Sequence, residues 1–303
     1  MSRRAYHILD VFTDTPFAGN PLAVVMDCAG LDAARMQKIA REFNLSETVF
    51  VRDAGDPVNT ARLRIFTPAS ELPFAGHPTI GAAALIAHLR APEHILKDEL
   101  RVVLEEGIGD IVCVVRAGKK GVVNASFNLA RLPEKLSDLT DIAAIAAALS
   151  LDADDIGFDA HRPGVWSAGA PLAFVPVASR EAIARARPEA ALFAGAFGPD
   201  AIGVWLYTSE CEREGSDVHA RMFAPSQGIA EDPATGSAAA AFAGVAVACE
   251  NPPDGDHTLV IEQGFEMGRP SLITVGLEVE GGALVGASVG GSVVMIAQGA
   301  IEA

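Results

Sequence analysis

Two segments of this chain share one grammar. "RIFTP" (Arg64 to Pro68) leads through "ASELPFAGHP" into the apolar run "TIGAAALIAHLR", and "RMFAP" (Arg221 to Pro225) leads through "SQGIAEDPATG" into "SAAAAFAGVAVAC". Each reads as a strand, a loop and a helix, and a recurrence once per half marks an internal repeat. The two helices constrain the fold more than any other feature, because both are apolar and rich in alanine. Such a helix is buried, and its low bulk lets a surrounding sheet approach closely. The fold class that follows is α+β: two units of similar design, each a mixed sheet around one apolar helix.

Length agrees with that division, since 303 residues is about twice a common domain. The first unit is expected over residues 1–130 and the second over 131–287, with a boundary uncertain by about ten residues. "AYHILDVFTDTPFAGNPLAVVM" reads as a hairpin, and Leu31 to Phe43 as a helix stopped by Asn44. Strands are expected in "SETVFVRD" and "ARLRIFTP", then as a meander in "ELRVVLEEG", "GDIVCVVRAG" and "KGVVNASFNLA". Lys135 to Ile156 is expected to be helical, with Ser137 or Asp138 as its N-cap. Further strands fall in "PLAFVPV", "AIGVWLYT", "DVHARMFAP", "HTLVIEQG", "SLITVGLEV" and "SVVMIAQG", with a short helix in "SREAIARAR".

Composition excludes several functions. A net charge of −16 argues against a nucleic-acid surface, whose affinity rests on clustered Lys and Arg. It does not bar an anionic small molecule from a local pocket. Cys28, Cys113, Cys211 and Cys249 lie far apart with no CxxC pair, so neither a zinc-ligand spacing nor a disulfide-dense scaffold is visible. A reducing, cytoplasmic setting is expected. The run Gly236 to Cys249 falls short of the roughly 20 residues that span a bilayer.

Both repeat helices begin at a Gly-containing turn, Gly76-His77-Pro78 and Thr235-Gly236-Ser237, so both offer backbone N–H groups and a positive dipole end. If the two turns meet in one cleft, they suit a small carboxylate. The alternative is that both turns only cap buried helices. Acid and base candidates stand nearby: Glu47 in "NLSETVF", Glu71 and His77 before the first helix, Glu231 and Asp232 before the second. A carboxylate in an apolar pocket is suited to take a proton beside a carbonyl or alkene. Glu47 has the apolar neighbours Leu45, Val49 and Phe50, but strand alternation leaves open which way it faces, and a lone histidine reads equally as structural.

The blocks "DVFTDTPFAGNPLAVV", "NLSETVFV", "RIFTPASELPFAGHPTIGAA", "EDPATGSAAAA" and "EQGFEMGRPS", in this order over nearly the whole chain, resemble the PhzF family of phenazine-biosynthesis-like isomerases. The resemblance implies a diaminopimelate-epimerase-like fold with two pseudo-symmetric domains. In that fold the last strand, about residues 288–303, returns to the first domain, and the active site lies in a cleft between the two. It also implies a homodimer without metal or organic cofactor, and a small carboxylate as the partner molecule. Glu47 then matches the general acid/base, His77 the histidine facing it, Asp232 a further catalytic group, and Ser237 a polar contact. Gly76, Gly236 and Asn20 are implied substrate contacts. Related racemases place a thiol at each helix turn, where this chain has Ala75 and Ala234. The implied chemistry is accordingly a proton shuttle by one carboxylate. A noncatalytic acid-binding protein and an epimerase remain as alternatives. Gln263, Arg269 and Ser271 have no firm chemical role at this stage, and a structural role is preferred for Arg269.

Overall fold

The computed structural model describes residues 3–118 and 121–303 as a mixed α/β protein rich in strands. It divides into two compact units, Met1–Asn128 with Gly290–Ala303, and Leu129–Val289. Among the described residues no helix is long and apolar enough to cross a membrane.

The first unit contains β1 (Arg3–Val11), β2 (Asn20–Val25), α1 (Ala33–Phe43), β3 (Glu47–Arg52), β4 (Ala61–Phe66) and β5 (Glu71–Leu72). There follow α2 (Gly76–Arg90), α3 (Pro92–Ile95), β6 (Leu100–Glu106), β7 (Gly109–Ala117) and β8 (Val123–Asn128). The second unit contains β9 (Glu134–Asp138), α4 (Ile142–Leu149), β10 (Gly164–Ser167), β11 (Pro171–Pro176), α5 (Arg180–Arg185), α6 (Phe193–Phe197) and β12 (Val204–Thr208). It continues with β13 (Val218–Ala224), β14 (Ile229–Asp232), α7 (Gly236–Glu250), β15 (Gly255–Gln263) and β16 (Ser271–Glu280), and β17 (Ala283–Glu302) runs on into the first unit.

In the first unit β1 pairs antiparallel with β17 and β2, β2 parallel with β3, β3 antiparallel with β4, and β4 parallel with β6. Antiparallel pairs β6–β7 and β7–β8 follow, and β8 meets β17, so the sheet closes on itself. Helix α2 packs against β1, β2, β3, β6, β7 and β8, and its residues Gly76 to Ala87 are all buried. The approach is close. A Cβ on Gly81 would lie 2.4 Å from Leu22 Cδ2, so any larger residue there would make the Leu22 side chain shift. In the second unit the order is antiparallel β10–β11, parallel β11–β12, antiparallel β12–β13, parallel β13–β15 and antiparallel β15–β16. Helix α7 is buried almost throughout and packs against β9, β10 and β16.

The local signals explain most boundaries. Asn44 adopts φ 51° and closes α1, while Asp32 caps its start through the Arg35 N–H. One stretch differs from expectation: Ser137 and Asp138 lie in β9, an exposed strand paired with β10, and the helix starts later at α4, capped by Asp141. The polar "EKLSD" gains backbone partners from β10 that a helix pattern could not reveal. The last strand is also longer than "SVVMIAQG", because β17 spans 20 residues.

One polar device occurs in both units. Glu105 on β6 accepts from the N–H groups of Asp56 and Gly55, from Asn59 and from Arg62, and these bonds pull it down to about 2. Glu262 on β15 accepts from the N–H groups of Glu212 and Arg213 and bonds His219 at 2.7 Å. Arg62 and Glu105 are register partners, as are His219 and Glu262. Burial alone would lower His219, but its bonds to Glu262 and Glu266 bring it up to about 9, so it is the cation of a buried triad. His219→Ala leaves Glu262 buried with its backbone donors but without its cation, at an expected loss of about 3 kcal/mol in urea unfolding. The folded pKa exceeds the 6.5 of an ordinary histidine. The stabilisation is therefore full below 6.5 and fades as pH rises through about 9, a trend that the variant should lack.

Candidate active site

Glu47 opens β3, three residues after Asn44, the αL cap that ends α1. In the parallel β2–β3 pair Leu22 stands beside Glu47, and Leu22 faces α2 at Gly81. Paired residues share a face, so the carboxylate points toward the helix. There Glu47 Oε2 lies 3.5 Å from His77 Nε2, the two side chains being 13% and 6% exposed. His77 is the second residue of α2, and its Nε2 is buried without a hydrogen-bond partner. Burial pushes the imidazole down to about 3, so it is neutral at physiological pH.

Helix α2 has no side-chain cap at Ala75, so the N–H groups of its first turn point outward from the helix end. Gly76 is its first residue and is buried. Asn20, fully buried, begins β2 two residues before Leu22, on the face that packs on α2. Glu71 does not join this group, because Arg64 holds it with two bonds of 2.6 Å.

The second unit holds the remaining expected residues. Asp232 ends β14 and accepts the Thr235 hydroxyl at 2.6 Å. Gln263 Nε2 donates to the Asp232 carbonyl at 2.7 Å and to Thr235 Oγ1 at 3.0 Å, while its Oε1 accepts from Trp205 Nε1. The turn before α7 is thus fixed from behind by a buried amide. Gly236 and Ser237 open α7, again without a side-chain cap at Thr235. Glu231 is held by Arg221 through bonds of 2.8 and 2.9 Å, so it, like Glu71, is tied into the frame. Ser271 is buried, pairs with Gln263 and donates to the Arg269 carbonyl, and Arg269 N–H returns to Gly264. These bonds close the turn between β15 and β16.

Ala75 and Ala234 occupy the two turns, so neither carries a thiol. Burial raises all four cysteines, Cys28 and Cys211 to about 12. Thiols so disposed are poor bases.

A model of the family described as phenazine biosynthesis-like protein matches residues 9–299. The chain belongs to this family. It is 47% identical to an uncharacterised isomerase of Mesorhizobium japonicum over 99% of both chains. It is 35% identical, over 98% of both, to the trans-2,3-dihydro-3-hydroxyanthranilate isomerase of Pseudomonas chlororaphis. The fold matches a phenazine biosynthesis protein of the PhzF family from Bacillus anthracis with TM-score 0.89 at 24% identity, covering 100% of each chain. As a family member the protein is an enzyme, an isomerase.

The neutral state of His77 is directly testable. Its imidazole ¹⁵N shifts should stay those of a neutral ring from pH 5 to pH 7, because the group is pushed down to about 3. A protonation midpoint near the 6.5 of an ordinary histidine would show that the ring is solvated.

Proposed function

We propose that this chain is a cofactor-independent isomerase that moves a proton and a double bond within a small cyclic or unsaturated carboxylic acid. The observation that carries the reading is Glu47 Oε2 at 3.5 Å from the buried, unpartnered Nε2 of a neutral His77, at the start of an uncapped helix. In the reaction the Glu47 carboxylate takes a C–H proton as the electron pair of that bond enters the conjugated system. The double bond shifts, and the protonated Glu47 returns a proton to a second carbon, leaving the enzyme as it began. His77, unable to act as a cation, orients the substrate and bonds the developing charge.

The N–H groups at the uncapped start of α2, at Gly76, are assigned to the substrate's carboxylate or hydroxyl oxygens, with the helix dipole favouring the anion. Asn20 is assigned as a further polar contact in the first unit, and Asp232, Gly236 and Ser237 are the polar groups that the second unit offers at its own helix entry. The strand pairings follow the same succession in both units, and each unit wraps one apolar helix. These features support the finer fold reading of two pseudo-symmetric domains of diaminopimelate-epimerase type. A two-base racemisation finds no thiols at Ala75 and Ala234.

The test uses the substrate of the named relatives. Trans-2,3-dihydro-3-hydroxyanthranilate incubated with the protein in D₂O should isomerise with solvent deuterium incorporated at carbon, followed by NMR. Glu47→Gln should lower turnover by a factor on the order of 10² to 10⁴ while keeping its fold. Equal turnover by this variant would remove Glu47 from the mechanism. Binding without exchange would turn the reading toward a noncatalytic acid-binding protein.

A further inference from the structure

Behind the His77 turn lies a short chain of oxygens that the mechanism does not use. Thr79 Oγ1 is 2.8 Å from the carbonyl oxygen of Ala75, the residue before α2, and 2.8 Å from Oε1 of Glu106 at the end of β6. Two such contacts need two protons. Thr79 brings one, and the Ala75 carbonyl brings none. With Thr79 donating to the Ala75 carbonyl, the contact to Glu106 is a second full hydrogen bond when Glu106 carries a proton and donates to Thr79. The other carboxyl oxygen, Oε2, is buried without a hydrogen-bond partner. A carbonyl oxygen tolerates that situation far better than half of a carboxylate does.

The second unit supplies an independent argument, because its matching position carries a group that cannot ionise. Glu106 follows Glu105, the register partner of Arg62, as Gln263 follows Glu262, the register partner of His219. Each is followed by a glycine set against the proline that precedes the helix turn. Gly107 N–H donates to the Pro73 carbonyl, and a Cβ on Gly264 would lie 2.6 Å from the Pro233 carbonyl oxygen. Gln263 donates to Thr235, whose hydroxyl passes the bond to Asp232. Both units thus run a donor on the sheet, a threonine hydroxyl and an oxygen of the helix-entry turn in one line.

We propose that Glu106 acts as a neutral carboxylic acid that positions the His77 turn of α2 through Thr79. It is a positioning residue, and the proposal rests on the reading of Glu47 and His77 as the reacting pair. Burial raises Glu106 to about 8. From β7 its titratable neighbour is Cys113, a buried thiol that is itself raised. From β4, β5, β6 and β7, Arg62, Arg64, Glu71, Glu105 and Asp110 line with it a cavity of about 650 Å³. Arg62 is engaged by Glu105, Arg64 by Glu71, and Asp110 by Asn59. Above about pH 8 the proton leaves, the contact to Thr79 can persist only if the hydroxyl abandons Ala75, and the turn loosens.

The test compares wild type with Glu106→Gln, which keeps a donor, and with Glu106→Ala and Thr79→Val, which break the line. Wild type should show an infrared C=O band of a carboxylic acid that disappears above about pH 8 and is absent from Glu106→Gln. The His77 ring resonances should shift across the same pH range in wild type and stay level in Glu106→Gln. Neither readout needs turnover, so both judge the proposal even where Glu47→Gln shows the proposed chemistry to be wrong. With turnover in hand, Glu106→Ala and Thr79→Val should lose about 10- to 100-fold in kcat. Glu106→Gln should restore it and extend activity to higher pH. The proposal is overturned by a missing carboxylic band in wild type, by His77 resonances that behave alike in wild type and Glu106→Gln, or by Glu106→Gln as inactive as Glu106→Ala.

Discussion

Everything in this protein depends on enclosing two helices that have almost no polar surface. Gly76 to Ala87 forms an unbroken buried run, and α7 is nearly as dry. Burial of apolar area drives the enclosure, and alanine and glycine let the strands come close enough to leave little void. In the first unit this closes the sheet on itself through β17 and β8. Such a helix can be polar only at its ends. The N-termini at Gly76 and Gly236 carry no side-chain cap, so the first-turn N–H groups there have no intrahelical partner.

The same frame is built twice, and comparing the copies separates structure from chemistry. Arg64 with Glu71 and Arg221 with Glu231 fasten a long strand to the short strand paired with it in each unit, which removes both glutamates from the pool of free bases. Glu105 and Glu262 pin a preceding loop through its backbone N–H groups. The positions that differ lie around the helix entry. One copy has His77 beside Glu47, with Glu106 behind the turn. The other has Ser237 in place of the histidine and an amide, Gln263, behind the turn.

The comparison also shows where sequence reasoning stopped. Gln263 stood in a recognisable block, yet its work depends on reaching Trp205, Thr235 and the Asp232 carbonyl at once, from three separate stretches of chain. Glu106 lay in an ordinary strand pattern, next to a second glutamate that proved to be a loop anchor. Aligning the two "E-[EQ]-G" ends of β6 and β15 is the signal that singles it out, as its counterpart in the repeat is a residue that stays neutral by nature. The stretch from Lys135 to Asp138 misled because an exposed polar strand carries no periodic apolar face, and only its pairing with β10 defines it.

The sequence by itself determined the elements whose causes are local: the αL stop at Asn44, the buried helices, the paired strands before them, and the absence of thiols at Ala75 and Ala234. Their determinants lie within a few residues, in side-chain shape, capping and apolar period. It also placed the chain in its family, because the motif blocks survive as linear strings. Tertiary structure decided which way Glu47 points, since orientation on a strand is set by register with Leu22 and not by the residue's own neighbours. It likewise decided the neutral state of His77 and the proton on Glu106, because ionisation answers to burial and to donors brought in from distant strands.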